Sequence, residues 1–113
     1  MGLRSLSTVE EWRRVQTSGQ SGSCEHLRVR LLARETDGPS RLGLRIRGTG
    51  SARAVNRNRA RRRVKEAFRL IGPPKGWDVV IHGGSDLNDK SFVEVRECLQ
   101  RALRDAMSKS GFA

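Results

Sequence analysis

The chain contains no tyrosine and only two tryptophans and three phenylalanines among its 113 residues, so its core is expected to be small and aliphatic. Acids are scarce as well: 12 Asp and Glu face 23 Lys and Arg, for a net charge of +11. They are also scattered along the chain. Metal-dependent phosphodiester cleavage needs carboxylates clustered around ions about 4 Å apart, and no such cluster stands out. Asp86 and Asp89 share a stretch with His82, and the trio reads as decoration of a polar loop. His26 has no Cys or Asp partner at ligand spacing. Two cysteines, Cys24 and Cys98, make neither a metal site nor a disulfide framework, and free thiols in a reducing compartment are the expectation. No apolar run approaches the roughly 20 residues of a membrane helix. The segment from Met1 to Ser7 lacks the apolar core of a signal peptide, so a cytoplasmic location is expected. Gly2 fits a myristoylation context poorly. The length suits one domain with a modest core.

What the chain does have is concentrated between Arg53 and Arg69. Eight basic residues and one acid, Glu66, carry +7 of the +11 in this stretch. Ala60, Val64, Ala67, Phe68 and Ile71 recur at helical spacing as one apolar stripe. At about 100° per residue, Asn58, Arg61, Arg62, Lys65 and Arg69 fall on the opposite side. A charge run is usually a solvated helix face, but such a face normally mixes both signs to gain Glu–Lys pairs. Here like charges repel unless a partner compensates them. Each phosphate neutralised by such a surface releases condensed counterions, so the expected partner is a polyanion.

The remaining pattern predicts the order α-β-β-α-β-α, an α+β sandwich of two layers. Ser7-Thr-Val-Glu10 reads as a capping box opening a helix with Val9, Trp12 and Val15 inward, stopped at Gly19. Gln16–Ser23 reads as a loop. Leu27–Arg34 and Leu42–Arg47 both alternate, with Leu27, Val29, Leu31 and Ala33 on one face of the first. The turn formers from Glu35 to Ser40 predict that they pair as a hairpin. Each strand puts arginine on its second face: Arg28, Arg30 and Arg34, then Arg45 and Arg47. One face of an antiparallel sheet can stay open, and this one would be basic. Gly48–Ala52 links to the basic helix. Gly72-Pro-Pro-Lys-Gly76 ends it, because tandem prolines cannot continue a helix. Trp77–His82 is a short apolar strand and Gly83–Lys90 a polar loop. Ser91-Phe-Val-Glu94 is a second capping box, opening a last helix with Phe92, Val95, Leu99, Ala102, Leu103 and Ala106 on one stripe. Residues 1–113 are read as a single RNA-binding domain, with 1–5 and 109–113 flexible.

At the basic helix the sequence resembles a known family. The run Ala54-Val55-Asn56-Arg57-Asn58-Arg59-Ala60-Arg61-Arg62-Arg63-Val64-Lys65-Glu66-Ala67-Phe68-Arg69 is similar to the Arg-Asn-Arg signature helix of the bacterial ribonuclease P protein subunit. Leu42-Gly-Leu44, Asp78-Val-Val-Ile81, Ser91-Phe92 and the opening Val9-Glu-Glu-Trp12-Arg-Arg-Val15 follow in family order, so the resemblance runs from about Leu3 to Met107. It implies a ribosomal-protein-like fold with a left-handed β-α-β crossover, where general packing rules favour the right hand. It implies an accessory role in an endoribonuclease whose RNA subunit holds Mg2+ and removes the 5′ leader of precursor tRNA, with no catalytic residue and no metal on the protein. The partners implied are the catalytic RNA and precursor tRNA, without membrane or small-molecule substrate. Carried over by motif, Arg53, Arg57, Asn58, Arg59, Arg61, Arg62, Lys65 and Arg69 are the expected RNA contacts. Asn58 either fixes the helix start or bonds a phosphate. Guanidiniums give bidentate phosphate contacts.

The resemblance also implies a cleft for the single-stranded leader, here assigned to Trp12, Arg28, Arg30, Arg45 and Arg47. The family lines this cleft with aromatics, on which bases stack. Trp12 stands at such a position, but Gln16 replaces the next ring. The arginines offer planar stacking and phosphate contacts instead. Trp12 reads equally well as a packing residue. The loop before the signature helix is one residue longer than the family pattern.

Other classes fit less of the chain. A structural RNA-binding protein or RNA chaperone without a processing role shares the charge and the fold, and only the signature helix and its neighbours separate the two. A DNA-binding helix-turn-helix would need a partnering helix where strands are predicted. Gly48-x-Gly50 lacks the third glycine of a dinucleotide fingerprint, Arg53 standing there, and reads as a turn.

Overall fold

A computed structural model describes residues 4–34, 38–47, 53–72 and 76–109. Its elements are β1 (Arg4–Ser5), α1 (Val9–Ser18), β2 (Gln20–Ser23), β3 (Arg28–Ala33), β4 (Arg41–Arg47), α2 (Arg53–Ile71), β5 (Trp77–Gly84), a 3₁₀ turn (Ser85–Asp89) and α3 (Phe92–Lys109). They form the expected α+β architecture around one sheet of order β1-β4-β5-β3-β2. β5 takes the centre because it is the one strand buried on both faces, from Trp77 through Ile81. A near-continuous apolar run is what a doubly covered strand requires.

That placement overturns the expected hairpin. β3 and β4 are not neighbours: β5 lies between them, antiparallel to β3 and parallel to β4. α2 is thus the crossover from β4 to the adjacent parallel β5. Alternation was sufficient to find both strands, but the buried partner that each prefers comes later in the chain. Of the intervening turn, residues 35–37 lie outside the described residues, as do the linker 48–52 and Pro73–Lys75.

α2 and α3 cover one sheet face. Their stripes, with Ala60, Val64, Ala67 and Phe68 from α2 and Val95, Leu99, Ala102 and Ala106 from α3, are buried against Leu27, Val29, Leu31, Val79 and Ile81. Ala33, expected inward, is exposed at the end of β3. α2 ends at Gly72, whose φ of 72° only glycine adopts without strain. α3 opens as expected, the Ser91 hydroxyl accepting from the Glu94 amide at 3.1 Å while Glu94 accepts from the Ser91 amide at 3.0 Å.

α1 crosses part of the other face, where Val15, Leu6 and Val80 form a small second core with Trp12 and Leu32 packed on it. Its capping box sits one residue later than expected. Thr8, not Ser7, is the cap, accepting from the Glu11 amide at 3.1 Å, and Glu11, not Glu10, reaches back to the Thr8 amide. Glu11 wins because a second partner holds it: Arg41 Nη1 donates to its carboxylate at 2.6 Å. The same shift leaves Val9 outside the core at 72% exposure. Arg41 also grips Asp78 of β5, at 2.8 and 2.7 Å, and Arg34 Nε stands 2.9 Å from the same carboxylate. Asp78 is fully buried, so this bridge joins α1, β4 and β5 beneath the surface.

Three further expectations change. Within the stretch read as a loop, Gln20–Ser23 is a strand, antiparallel to β3. Its polar side chains hide it; what docks is backbone, since a Cβ on Gly22 would collide with the Ala102 carbonyl and the Ala106 amide of α3. The loop expected from Gly83 to Lys90 instead extends β5 through Gly84 and then forms the 3₁₀ turn, pinned by fully buried Leu87. Cys24 and Cys98, expected as free thiols, are joined as a disulfide across 74 residues with their Cα atoms 5.6 Å apart. Of the termini read as flexible, Arg4–Ser5 pairs with β4 and Lys109 closes α3. Residues 1–3 and 110–113 lie outside the described residues. No helix among the described residues is long and apolar enough to cross a membrane.

Candidate RNA interface

Burying one stripe of α2 fixes where the other side points. Asn58, Arg61, Arg62, Lys65 and Arg69 are all exposed on it, as the spacing requires, and so is Arg59, which the motif alone had named. Asn58 does not fix the helix start, because the helix opens at Arg53, more than a turn earlier. The side chains of Arg53 and Arg57 lie outside the described residues. Arg63 belongs elsewhere: it is half-buried and donates to the Leu87 and Asn88 carbonyls at 3.2 and 3.3 Å, and to that of Lys90, tying α2 to the 3₁₀ turn. Glu66 pairs with Arg69 one turn on, and that hydrogen bond holds its carboxyl below the usual range. An exposed pair of this kind is worth little, so Arg69 can exchange Glu66 for a phosphate.

The residues expected to form one cleft fall into two grooves. The first, of ≈ 600 Å³, opens on the sheet face left uncovered by α1 and is lined by Arg28 and Arg30 of β3, Arg45 and Arg47 of β4, and His82 of β5. Gln16 of α1 and the β2–β3 turn close its sides. The second, of ≈ 580 Å³, lies between the sheet edge and α2 and is lined by Trp12, Gly43, Asn58, Arg61, Arg62 and Lys65. Trp12 therefore lines a different groove from the four arginines but touches one of them, and the Arg45 guanidinium, 5.5 Å from its ring centroid, connects the grooves. Of the two readings of Trp12, the packing one is observed. Its indole donates to the Leu6 carbonyl at 3.3 Å and lies so close to β4 that a Cβ on Gly43 would stand 2.7 Å from two ring carbons, while the ring also walls the second groove.

The sheet groove is strongly electropositive. Glu25 is the one acid lining it among the described residues, and Arg101 stands 3.4 Å from that carboxylate. Arg30 reaches the Gly19 carbonyl at 3.4 Å through Nη2, but its buried Nε has no hydrogen-bond partner.

Gln16, read as the replacement for a cleft ring, and His82, read as decoration of a polar loop, instead meet in this groove, His82 lying on β5. Their side-chain nitrogens meet at 3.2 Å across 66 residues. His82 lies in cross-strand register with Arg28 on one side and Arg45 on the other. Burial, then the field of Arg45, Arg28, Arg47 and Arg30, pushes its imidazole below the usual histidine range. The one available signal was parity: His82 shares a strand face with Asp78, two polar residues in an apolar run. Among the described residues no group of three His, Cys, Asp or Glu side chains stands close enough to hold a metal ion.

Comparison with known proteins adds an independent line. Residues 3–107 match the family model for ribonuclease P. A ribonuclease P protein component from Gluconacetobacter diazotrophicus is 32% identical over 105 residues, spanning 89% of each chain. One from Ruegeria pomeroyi is 42% identical over 79 residues, 64% of this chain and 63% of that protein. Among solved structures, the ribonuclease P protein from Thermotoga maritima superimposes with a TM-score of 0.70 at 28% identity, covering 86% of this chain and 92% of its own.

Proposed function

The chain belongs to the ribonuclease P protein family, and from that premise we propose that it acts as one RNA-binding unit presenting two surfaces to two RNAs. As the protein subunit it is an accessory of an endoribonuclease. The outward face of α2, with Asn58, Arg59, Arg61, Arg62, Lys65 and Arg69, docks on the catalytic RNA. Arg53 and Arg57 extend that face by motif. The sheet groove, with Arg28, Arg30, Arg45 and Arg47, holds the single-stranded 5′ leader of precursor tRNA, and Trp12 marks the boundary between the surfaces. The observation that carries this reading is their adjacency: two electropositive grooves meet at the Arg45–Trp12 contact, one on the signature helix and one on the open sheet face.

In this reading the chain breaks no bond. Its guanidiniums neutralise phosphate oxygens, and the counterions released supply a salt-dependent share of the affinity. Mg2+ would be held by the RNA subunit, where it would supply charge stabilisation for the cleavage chemistry. Among the described residues, Asp78, Glu11, Glu66 and Glu25 are each paired with arginine. A cytoplasmic site of action fits these partners.

Cleavage of a precursor tRNA by a bacterial ribonuclease P RNA at low magnesium, with and without this protein, tests the proposal. Cleavage that needs the protein, and that weakens when the leader is shortened, is the expected result. RNA binding without any gain in cleavage would turn the reading toward a structural RNA-binding protein.

A further inference from the structure

We propose that His82 is an RNA-contacting residue of the sheet groove that takes up a proton as the phosphodiester backbone docks, so that leader binding is coupled to pH. The inference rests on the groove being an RNA site and deepens that reading.

The geometry comes first. His82 lies on the central strand, with Arg28 on β3 and Arg45 on β4 directly opposite it in register, and Arg30 and Arg47 also lining the groove. From α1 it meets Gln16, and from the β2–β3 turn Glu25 and His26 share the lining. An imidazolium in the empty groove would thus face four guanidiniums, with one carboxylate that already has Arg101 as a partner. Like charges so placed favour the neutral ring, and the lowered pKa agrees in direction.

The Gln16 contact is consistent with the neutral form. With Gln16 Nε2 3.2 Å from His82 Nε2, the amide donates, the ring nitrogen accepts, and the proton resides on Nδ1. Protonation makes Nε2 a donor, so the Gln16 amide must rotate to present its oxygen. Gln serves either state because its amide carries both a donor and an acceptor. A phenylalanine ring there would offer neither.

RNA reverses the field. Phosphates seated on Arg28, Arg30, Arg45 and Arg47 cancel the repulsion. The bound imidazole then protonates more readily than the free one. A group whose pKa is higher in the complex binds a proton on association, so affinity rises as pH falls from above the bound value toward the free value. Below the free value His82 is charged in both states and the gain is complete.

The test is affinity for an oligouridine of about eight nucleotides, whose bases do not titrate in this range, measured at about pH 8 and at about pH 5.5. Calorimetry in two buffers of different ionisation enthalpy counts the protons taken up. We expect several-fold tighter binding at the lower pH with uptake of a fraction of a proton. His82→Gln should abolish both changes. Imidazole resonances of His82, followed by NMR with and without the oligonucleotide, read the same shift in the unaltered protein. Binding that is flat with pH overturns the inference, as does pH dependence that survives His82→Gln. Failure to bind at either pH would instead overturn the RNA reading of the groove.

Discussion

Asp78 is the residue on which most of the frame around the sheet groove depends. Its carboxylate is fully buried, yet it touches two guanidiniums, and one of these, Arg41, continues to Glu11 at the start of α1. Arg34 and Arg41 keep 16% and 20% of their side chains exposed, so solvent relieves part of their charge. Removing one partner of a buried pair costs more than the pair contributes, because the remaining charge is stranded. Asp78→Asn strands two of them, and only Glu11 is left to compensate. The expected loss is about 3 kcal/mol, toward the lower end for such a break because both guanidiniums reach water. Urea unfolding at neutral pH measures it. A change below about 1 kcal/mol would mean that the network adds no more than a surface ion pair does.

At the scale of the element, α2 separates its two roles by face, and the charge on its outer face can be counted in solution. Each phosphate contact adds close to one unit to the slope of log affinity against log salt, somewhat less on single strands. Replacing Arg61, Arg62 and Lys65 together with Ala should lower that slope by about two to three units on the catalytic RNA. All three are exposed, so the fold should stand, and circular dichroism checks that. An unchanged slope would remove this face from the interface. The same helix marks how far sequence patterns reach. The stripes of α2 and α3 were legible because 3.6-residue periodicity is written locally, and so were the arginines of β3 and β4, because alternation is too. Strand adjacency was not, since β5's preference for the centre depends on burial over both its faces. β2 was invisible for a different reason: its docking group is the backbone at Gly22, not a side chain. In the candidate site the arginines could be read, whereas the Gln16–His82 contact and the Cys24–Cys98 pair span 66 and 74 residues and leave no local trace. Periodicity fixes which face of α2 is buried, but not the hand of its crossover.

Taken as a whole, the molecule carries +11, and its basic groups outnumber its acids 23 to 12. Ion pairs such as Arg41–Asp78 gain from the few acids, but most remaining pairs of charges repel, and that repulsion opposes the compact state. Added monovalent salt shortens the range of these interactions to about 8 Å at physiological strength. Repulsion between groups farther apart fades first, while buried pairs at contact distance are screened much less. The free protein should therefore gain stability as salt rises. RNA supplies the opposite charge directly and binds only the folded state, so at about 100 times its dissociation constant it adds about 2.7 kcal/mol. For a domain of this size that corresponds to roughly 10 °C in Tm. Salt displaces the RNA, because each phosphate contact is paid back in recondensed counterions. The two samples should respond to salt with opposite signs, Tm climbing for the free protein and falling for the complex until the curves meet. Scanning calorimetry at several salt concentrations tests this, and a free protein whose Tm falls with salt would show that its attractive ion pairs outweigh its net charge.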